Sequence, residues 1–308
     1  MRAAIDIGSN TVLLLIAKVE GNHVEVIHEE QRIPRLGRGV DENKTLHEDS
    51  IQRVIDVLEE YKSIIEEDYF IFKDVIVTAT SAVRDAKNRD YLLNRVFDEV
   101  GFDVRLLTGE EEAQWTFVGA LSVMDVDEDQ TFYVVDIGGG STEVAIGRKG
   151  QLLDYHSFDM GCVRFKERFL KQNPPFQGEI RQCIEEIEKL LTKKKFKAPK
   201  NIQAIGVAGT ATSLAAIDLK LDVFENEKLN GHVIKEEKLS KGIEIFSLHT
   251  YDQLLELSPN LLKGREDIFL AGLLILDGFM KFKGVDEIKV STGGIRHGAL
   301  LMTKKDEN

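Results

Sequence analysis

The chain has 308 residues, 43% of them hydrophobic and only 5 of them proline, so it can fill real cores and is not a disordered polymer. Its 40 basic and 53 acidic residues leave a net charge of −13, which argues against general nucleic-acid binding and leaves a phosphorylated substrate only a local positive site. No apolar run reaches the roughly 20 residues of a bilayer span, and Met1 and Arg2 lead straight into a strand, so a cytoplasmic protein with no membrane partner is expected.

In chain order, "AIDIGSNTVLLLIA" (4–17) reads as an apolar strand ending at Asp6, a polar turn of Gly8, Ser9, Asn10 and Thr11, and a second strand. "RIPRLGRG" (32–39) is a Gly-rich loop carrying Arg35 and Arg38. Ile51, Val54, Ile55, Leu58, Tyr61 and Ile65 keep helical spacing through 50–67. "VIVTATSAV" (75–83) is a buried strand turning through small and hydroxyl residues into a helix, with Arg84 just beyond. "LLTGEEEA" (106–113) is a strand end followed by a helix start, and "MDVDEDQ" (124–130) fits a linker. "YVVDIGGGSTEVAIG" (133–147) repeats the first hairpin, with Asp136 and the turn Gly138, Gly139, Gly140. Ile180, Ile184, Ile187, Leu190 and Leu191 space a helix over 179–191. "IGVAGTATS" (205–213) is again strand into helix, a helical stretch is expected over 232–283, and "VSTGGIRHG" (290–298) closes the series.

The repeats keep their order. Asp6 and Asp136 are 130 apart, and matching Val77 to Val207 gives the same offset. The third echo, 106–113 with 290–298, is offset by 184, so the second half carries about 54 extra residues before that point, which the helical stretch supplies. Two related α/β domains follow, 1–124 and 125–308, each beginning with a hairpin whose turn points at a cleft between them, since ligands of open α/β sheets bind beyond the strand ends.

Consecutive glycine amides can turn towards phosphoryl oxygens because no Cβ blocks the approach. Gly138, Gly139 and Gly140 supply such a turn, and Ser141 and Thr142 add hydroxyls. Gly8, Ser9, Asn10 and Thr11 form a more polar version. Gly209 and Thr210 sit at a helix start, where free N–H groups favour anions. One such turn alone reads as a tight hairpin; three at matched places read as phosphate binding. Asp6 and Asp136 end their strands where carboxylates suit a hydrated Mg²⁺, or cap their own turns. Arg84 is balanced between a phosphate and a surface ion pair with Asp85 or Asp90. Thr108 and Glu111 spell a capping box, and the helix dipole accounts for Glu110, which leaves Glu112 without a structural reason. Glu112 is the chosen base for an attacking water, and Glu143 is the second catalytic candidate and a metal contact. Arg35, Arg38 and Arg296 remain open between cleft and structural roles, and His297 reads as packing. Cys162 and Cys183 read as buried thiols. The lysines of "TKKKFKAPK" (192–200) read as a solvated charge run rather than a polyanion track.

The two Asp-x-Gly hairpins resemble the actin-like ATPase and sugar-kinase superfamily. "IDIGSNTVLLLIA", "ATSAVRDAKN", "LTGEEEA", "DIGGGSTE", "GVAGTATSLAA" and "STGGIRHGAL", in this order between residues 5 and 300, resemble the exopolyphosphatase and guanosine pentaphosphate phosphohydrolase family. The resemblance implies two duplicated actin-like (ribonuclease H-like) domains. It also implies metal-dependent removal of terminal phosphate from polyphosphate or guanosine pentaphosphate, with Glu112 catalytic and Arg84 on phosphate. "LNGHVI" departs from the family at Asn230, where many members have histidine, and is given no role. The expected cofactor is Mg²⁺ or another divalent cation, and the expected partner is the substrate, with a homodimer compatible with the sequence. The alternative is a nucleotide-binding sensor or regulatory ATPase of the same superfamily that does not hydrolyse its ligand; a sugar kinase fits less well, since no sugar-binding segment is evident.

Overall fold

The structure, a computed structural model, describes residues 1–194 and 202–303. The "TKKKFKAPK" segment lies outside the described residues from position 195 onward. The chain forms two compact units, residues 1–123 with the C-terminal segment from Gly293, and residues 124–292.

In the first unit β1 (Arg2–Ile7), β2 (Val12–Glu20) and β3 (His23–Arg32) form an antiparallel meander. After a short α1 (Val40–Asn43), α2 (Glu48–Ser63) runs on into a π-helical turn, Ile64–Asp68. Then come β4 (Val75–Ala79), α3 (Ser81–Asp85), α4 (Arg89–Arg95), β5 (Val104–Leu106) and α5 (Gly109–Ser122). The sheet order is β3-β2-β1-β4-β5, with β4 parallel to β1. Period-two alternation gives the sheet two buried faces. Ala3, Ile5 and Ile7 pack with the α2 residues Ile51, Val54, Ile55, Leu58 and Tyr61. Ala4, Leu15 and Ala17 pack with Leu107 and Trp115 on the other face.

The second unit repeats the plan. β6 (Phe132–Ile137), β7 (Thr142–Arg148) and β8 (Gln151–Phe158) form the meander. They are followed by α6 (Cys162–Phe169), α7 (Gln177–Thr192), β9 (Gln203–Val207) and α8 (Ala208–Asp218). α9 (Asn226–Leu229), β10 (Val233–Lys235), α10 (Glu236–Leu248), α11 (Tyr251–Leu257), α12 (Pro259–Leu262), α13 (Phe269–Lys283) and β11 (Glu287–Val290) complete it. The sheet order is β10-β11-β9-β6-β7-β8. Among the described residues no helix is long and apolar enough to cross a membrane.

Three expectations need adjustment. The helical stretch begins with a strand: β10 pairs antiparallel with β11, Ile234 against Ile288. The second echo is one residue shorter than the first, because Asp6 lies beside Thr78 while Asp136 lies beside Val207. Ala208, at φ 62°, turns the chain from β9 directly into α8, where the first unit interposes Thr80. Finally, the chain does not stay in the second unit to its end. α14 (Ile295–Met302) packs on α5, with Ile295, Ala299 and Leu300 sharing a core with Trp115. Glycine permits this at backbone distance: a Cβ on Gly298 would lie 1.9 Å from the Trp115 carbonyl oxygen, and one on Gly119 1.9 Å from that of Gly294.

Candidate active site

The two hairpin turns have the same frame. Gly8 N–H donates to the Thr11 carbonyl at 2.9 Å, and Gly138 N–H to that of Ser141 at 3.0 Å. In the second unit α6 holds the turn from behind. The Gly138 carbonyl accepts from Cys162 N–H, the Gly139 carbonyl from Val163 and Arg164 N–H, and the Gly140 carbonyl from Arg164 Nε at 2.6 Å. In a trans peptide the C=O and the following N–H point in opposite directions. The N–H groups of Gly139, Gly140 and Ser141 therefore point away from α6, and none has a hydrogen-bond partner among the described residues. Ser141 Oγ is buried and also unpartnered. The Thr142 hydroxyl, by contrast, donates to the Met160 carbonyl at 2.5 Å and fixes the turn to the chain entering α6.

The first-unit turn is held differently. The Ser9 carbonyl accepts from Gly37 N–H at 2.6 Å and the Asn10 carbonyl from Arg35 N–H at 3.1 Å. This gives the "RIPRLGRG" loop a structural role through its backbone: Arg35 takes a left-handed φ of 54°, and a Cβ on Gly37 would sit 2.8 Å from Ser9 Cβ. Ser9 is buried and its hydroxyl lies 3.1 Å from that of Ser81. Arg38 is exposed.

Hairpin register separates the two aspartates. Asp136 lies directly opposite Glu143, whereas Asp6 lies opposite Leu13. Facing residues of an antiparallel pair share a face with Cβ atoms about 5 Å apart, so the second unit presents two carboxylates together. Glu143 is buried, and its Oε1 accepts from Ser157 Oγ at 2.6 Å. Asp6 Oδ1 accepts from Thr78 Oγ1 at 3.2 Å.

At the start of α5 the capping box forms: Thr108 Oγ1 accepts from Glu111 N–H and Glu111 Oε2 from Thr108 N–H. The Thr108 N–H, then Arg105 and the Thr108 hydroxyl, hold the Glu111 carboxyl below the usual range. With Glu111 so engaged, Glu112 turns inward to 6% exposure, and Arg84 Nη1 donates to its Oε2 and to the Leu107 carbonyl, both at 2.9 Å. Thus Arg84 reaches Glu112 across 28 residues, a pairing invisible to local spacing.

Gly209 lies in the first turn of α8, and Arg265, which sequence reasoning passed over, packs on it; a Cβ there would lie 1.5 Å from Arg265 Nη1. The Thr210 side chain packs against Gly272 of α13, so its contribution at the helix start is its backbone. Other candidates resolve into structure. Arg296 bridges the Leu14 carbonyl at 2.6 Å and Glu29 at 3.0 Å. His297 is buried, and burial followed by the neighbouring Arg296 lowers its pKa to about 3. Asn230 Oδ1 accepts from Thr292 N–H, and His232 pairs with Asp218 at 3.0 Å. Burial raises the Cys162 thiol to about 12, which leaves it un-ionised.

No group of three or more His, Cys, Asp or Glu side chains forms a metal cage among the described residues. Mg²⁺ needs no such cage; it commonly takes one or two carboxylates and completes its shell with water and phosphate oxygens. The Asp136–Glu143 pair fits that donor set.

The Ppx/GppA phosphatase family matches residues 15–307. A bifunctional 3-dehydroquinate synthase/phosphatase of Fusobacterium nucleatum is 32% identical over 98% of this chain, which spans only 46% of that protein. Exopolyphosphatase 2 of Mycobacterium tuberculosis is 30% identical, with 97% of each chain covered. The crystal structure of the Aquifex aeolicus Ppx/GppA family member shares 33% identity and a TM-score of 0.81 over 97% of this chain and 96% of that one. With its two-domain actin-like α/β fold, the chain belongs to the Ppx/GppA phosphatase family.

Proposed function

We propose that the protein is a divalent-metal-dependent hydrolase of terminal phosphoanhydride bonds, releasing orthophosphate from inorganic polyphosphate, from the 5′ γ-position of guanosine pentaphosphate, or from both. The observation that carries this reading is the Gly138–Ser141 turn, whose three glycine carbonyls are tied to α6 so that the N–H groups of Gly139, Gly140 and Ser141 face the other way, beside two carboxylates. Amides held in that way stabilise charge on phosphoryl oxygens without reorganising during the reaction. Asp136 and Glu143 would hold Mg²⁺, which when bound neutralises charge on the phosphate. Glu112 orients water and takes its proton, and Arg84 keeps that carboxylate in place and contributes positive charge. Asp6 and the Gly8–Thr11 turn supply the matching polar end of the first unit. Direct attack by water needs no protein nucleophile, in keeping with the un-ionised Cys162. Two free thiols are also at home in a reducing cytoplasm.

Phosphate release from each substrate by one preparation, with Mg²⁺ and after chelation, tests the reading. Glu112→Gln folds as the wild type and loses about 10²–10⁴-fold in kcat. Near-wild-type release by that variant would remove Glu112 from its role. Tight nucleotide binding with no release from either substrate would instead favour a non-hydrolytic sensor.

A further inference from the structure

We propose that Ser157 is a positioning residue that holds Glu143 in its working rotamer. The inference rests on the role given to Glu143 above. Asp136, Glu143 and Ser157 stand in one row across β6, β7 and β8, paired Asp136 to Glu143 and Glu143 to Ser157. The corresponding row of the first unit is Asp6, Leu13 and Gln31, so the second carboxylate and its hydroxyl partner occur together in one unit only.

Glu143 is 2% exposed and lies opposite another carboxylate, so its orientation within the row has to be fixed by a neighbour. Ser157 Oγ has only a donor's part to play towards an ionised carboxylate, and its 2.6 Å contact to Oε1 lies in the range of charge-assisted O–H···O⁻ bonds. The bond also selects one orientation of a side chain that has three rotatable torsions.

Ser157 is itself well placed to do this. It is followed by buried Phe158 and Met160, and the Met160 carbonyl is taken by the Thr142 hydroxyl while its N–H donates to the Phe158 carbonyl. The end of β8 is therefore fastened to the start of β7: Thr142, next to Glu143, pairs in register with Phe158, next to Ser157, and its hydroxyl holds Met160 just beyond. Ser157 is only part-buried, so removing its hydroxyl leaves the core intact.

The test is steady-state kinetics of Ser157→Ala and Ser157→Thr at saturating Mg²⁺, with thermal melting of each. Ser157→Ala lowers kcat about tenfold, the effect of one charge-assisted hydrogen bond. KM stays within about twofold and the melting temperature is near that of the wild type. Ser157→Thr, which keeps the hydroxyl, restores most of the turnover. In a Glu143→Ala background the further change Ser157→Ala has no additional effect on kcat. A kcat for Ser157→Ala within twofold of wild type overturns the proposal, as does a loss that threonine fails to restore or that persists undiminished in the Glu143→Ala background. Full turnover by Glu143→Ala alone would instead overturn the role of Glu143 on which the inference stands.

Discussion

At Glu112 a buried carboxylate and a partly exposed guanidinium are held 2.9 Å apart, and the pairing decides what each can do. Arg84 Nη1 donates both to Glu112 Oε2 and to the Leu107 carbonyl. On the proposed function, a phosphate would meet the guanidinium and the carboxylate together. His297 shows the opposite treatment of a titratable group. Burial keeps it neutral, with Nδ1 unpartnered among the described residues, and its pKa is lowered to about 3 from an ordinary 6.5. The unfolded chain therefore binds this proton more readily. The stability associated with His297 is complete above about pH 6.5 and is lost as pH falls from there towards 3, at up to about 1.4 kcal/mol per pH unit. Denaturant midpoints at neutral pH and near pH 5 check this. His297→Gln shrinks the difference between them by about 2 kcal/mol, and an unchanged difference would show that another group sets the acid sensitivity.

Among elements, α6 matters most to the site although it contributes no residue to the chemistry. Its first N–H groups and Arg164 hold the glycine turn's carbonyls, and Gly161 makes room for the contact. A Cβ on Gly161 would lie 2.4 Å from the Gly139 carbonyl carbon and oxygen and 2.5 Å from the Gly140 nitrogen, all of them backbone atoms. Gly161→Ala must displace the turn. It should raise KM about tenfold for loss of an aligned donor and destabilise the protein by about 1–3 kcal/mol; KM unchanged in a folded variant would show that the turn does not grip the substrate. The hairpins, the capping box at Thr108 and Glu111, and the faces of α2 and α7 were legible from periodicity and local spacing. The hold of α6 was not, because Gly161 and Arg164 lie 20 or more residues from the glycines they touch. Arg265 was missed for the same reason: it reaches Gly209 across 56 residues with no motif around it.

For the molecule as a whole, the repeats marked two α/β units of one plan, and two such units form. Less legible was where the chain ends up. The return of α14 to α5 depends on glycine contacts at backbone distance, which hydrophobic spacing does not encode. The net charge of −13 carries a kinetic consequence at this scale. A long polyanion approaching such a molecule meets repulsion everywhere except at local sites, and salt screens that repulsion. With free Mg²⁺ fixed, kcat/KM on long polyphosphate should therefore hold level or rise between about 20 and about 150 mM KCl, over which the Debye length shortens to about 8 Å. A steep fall would reveal an extended basic track instead.

Because the Gly138–Gly140 carbonyls are tied to α6, the turn is braced from behind on all three glycines. On the proposed function, a cradle so braced would hold freed orthophosphate much as it held the terminal group of the chain, and departure of product would become a step in its own right. A polymeric substrate brings its own remedy. Its shortened end is a new terminal group of the same kind, able to compete for the cradle as product leaves. A nucleotide cleaved at its 5′ γ-position has no second γ-phosphate to offer, and on the proposed function each of its turnovers would wait for the cradle to clear unaided.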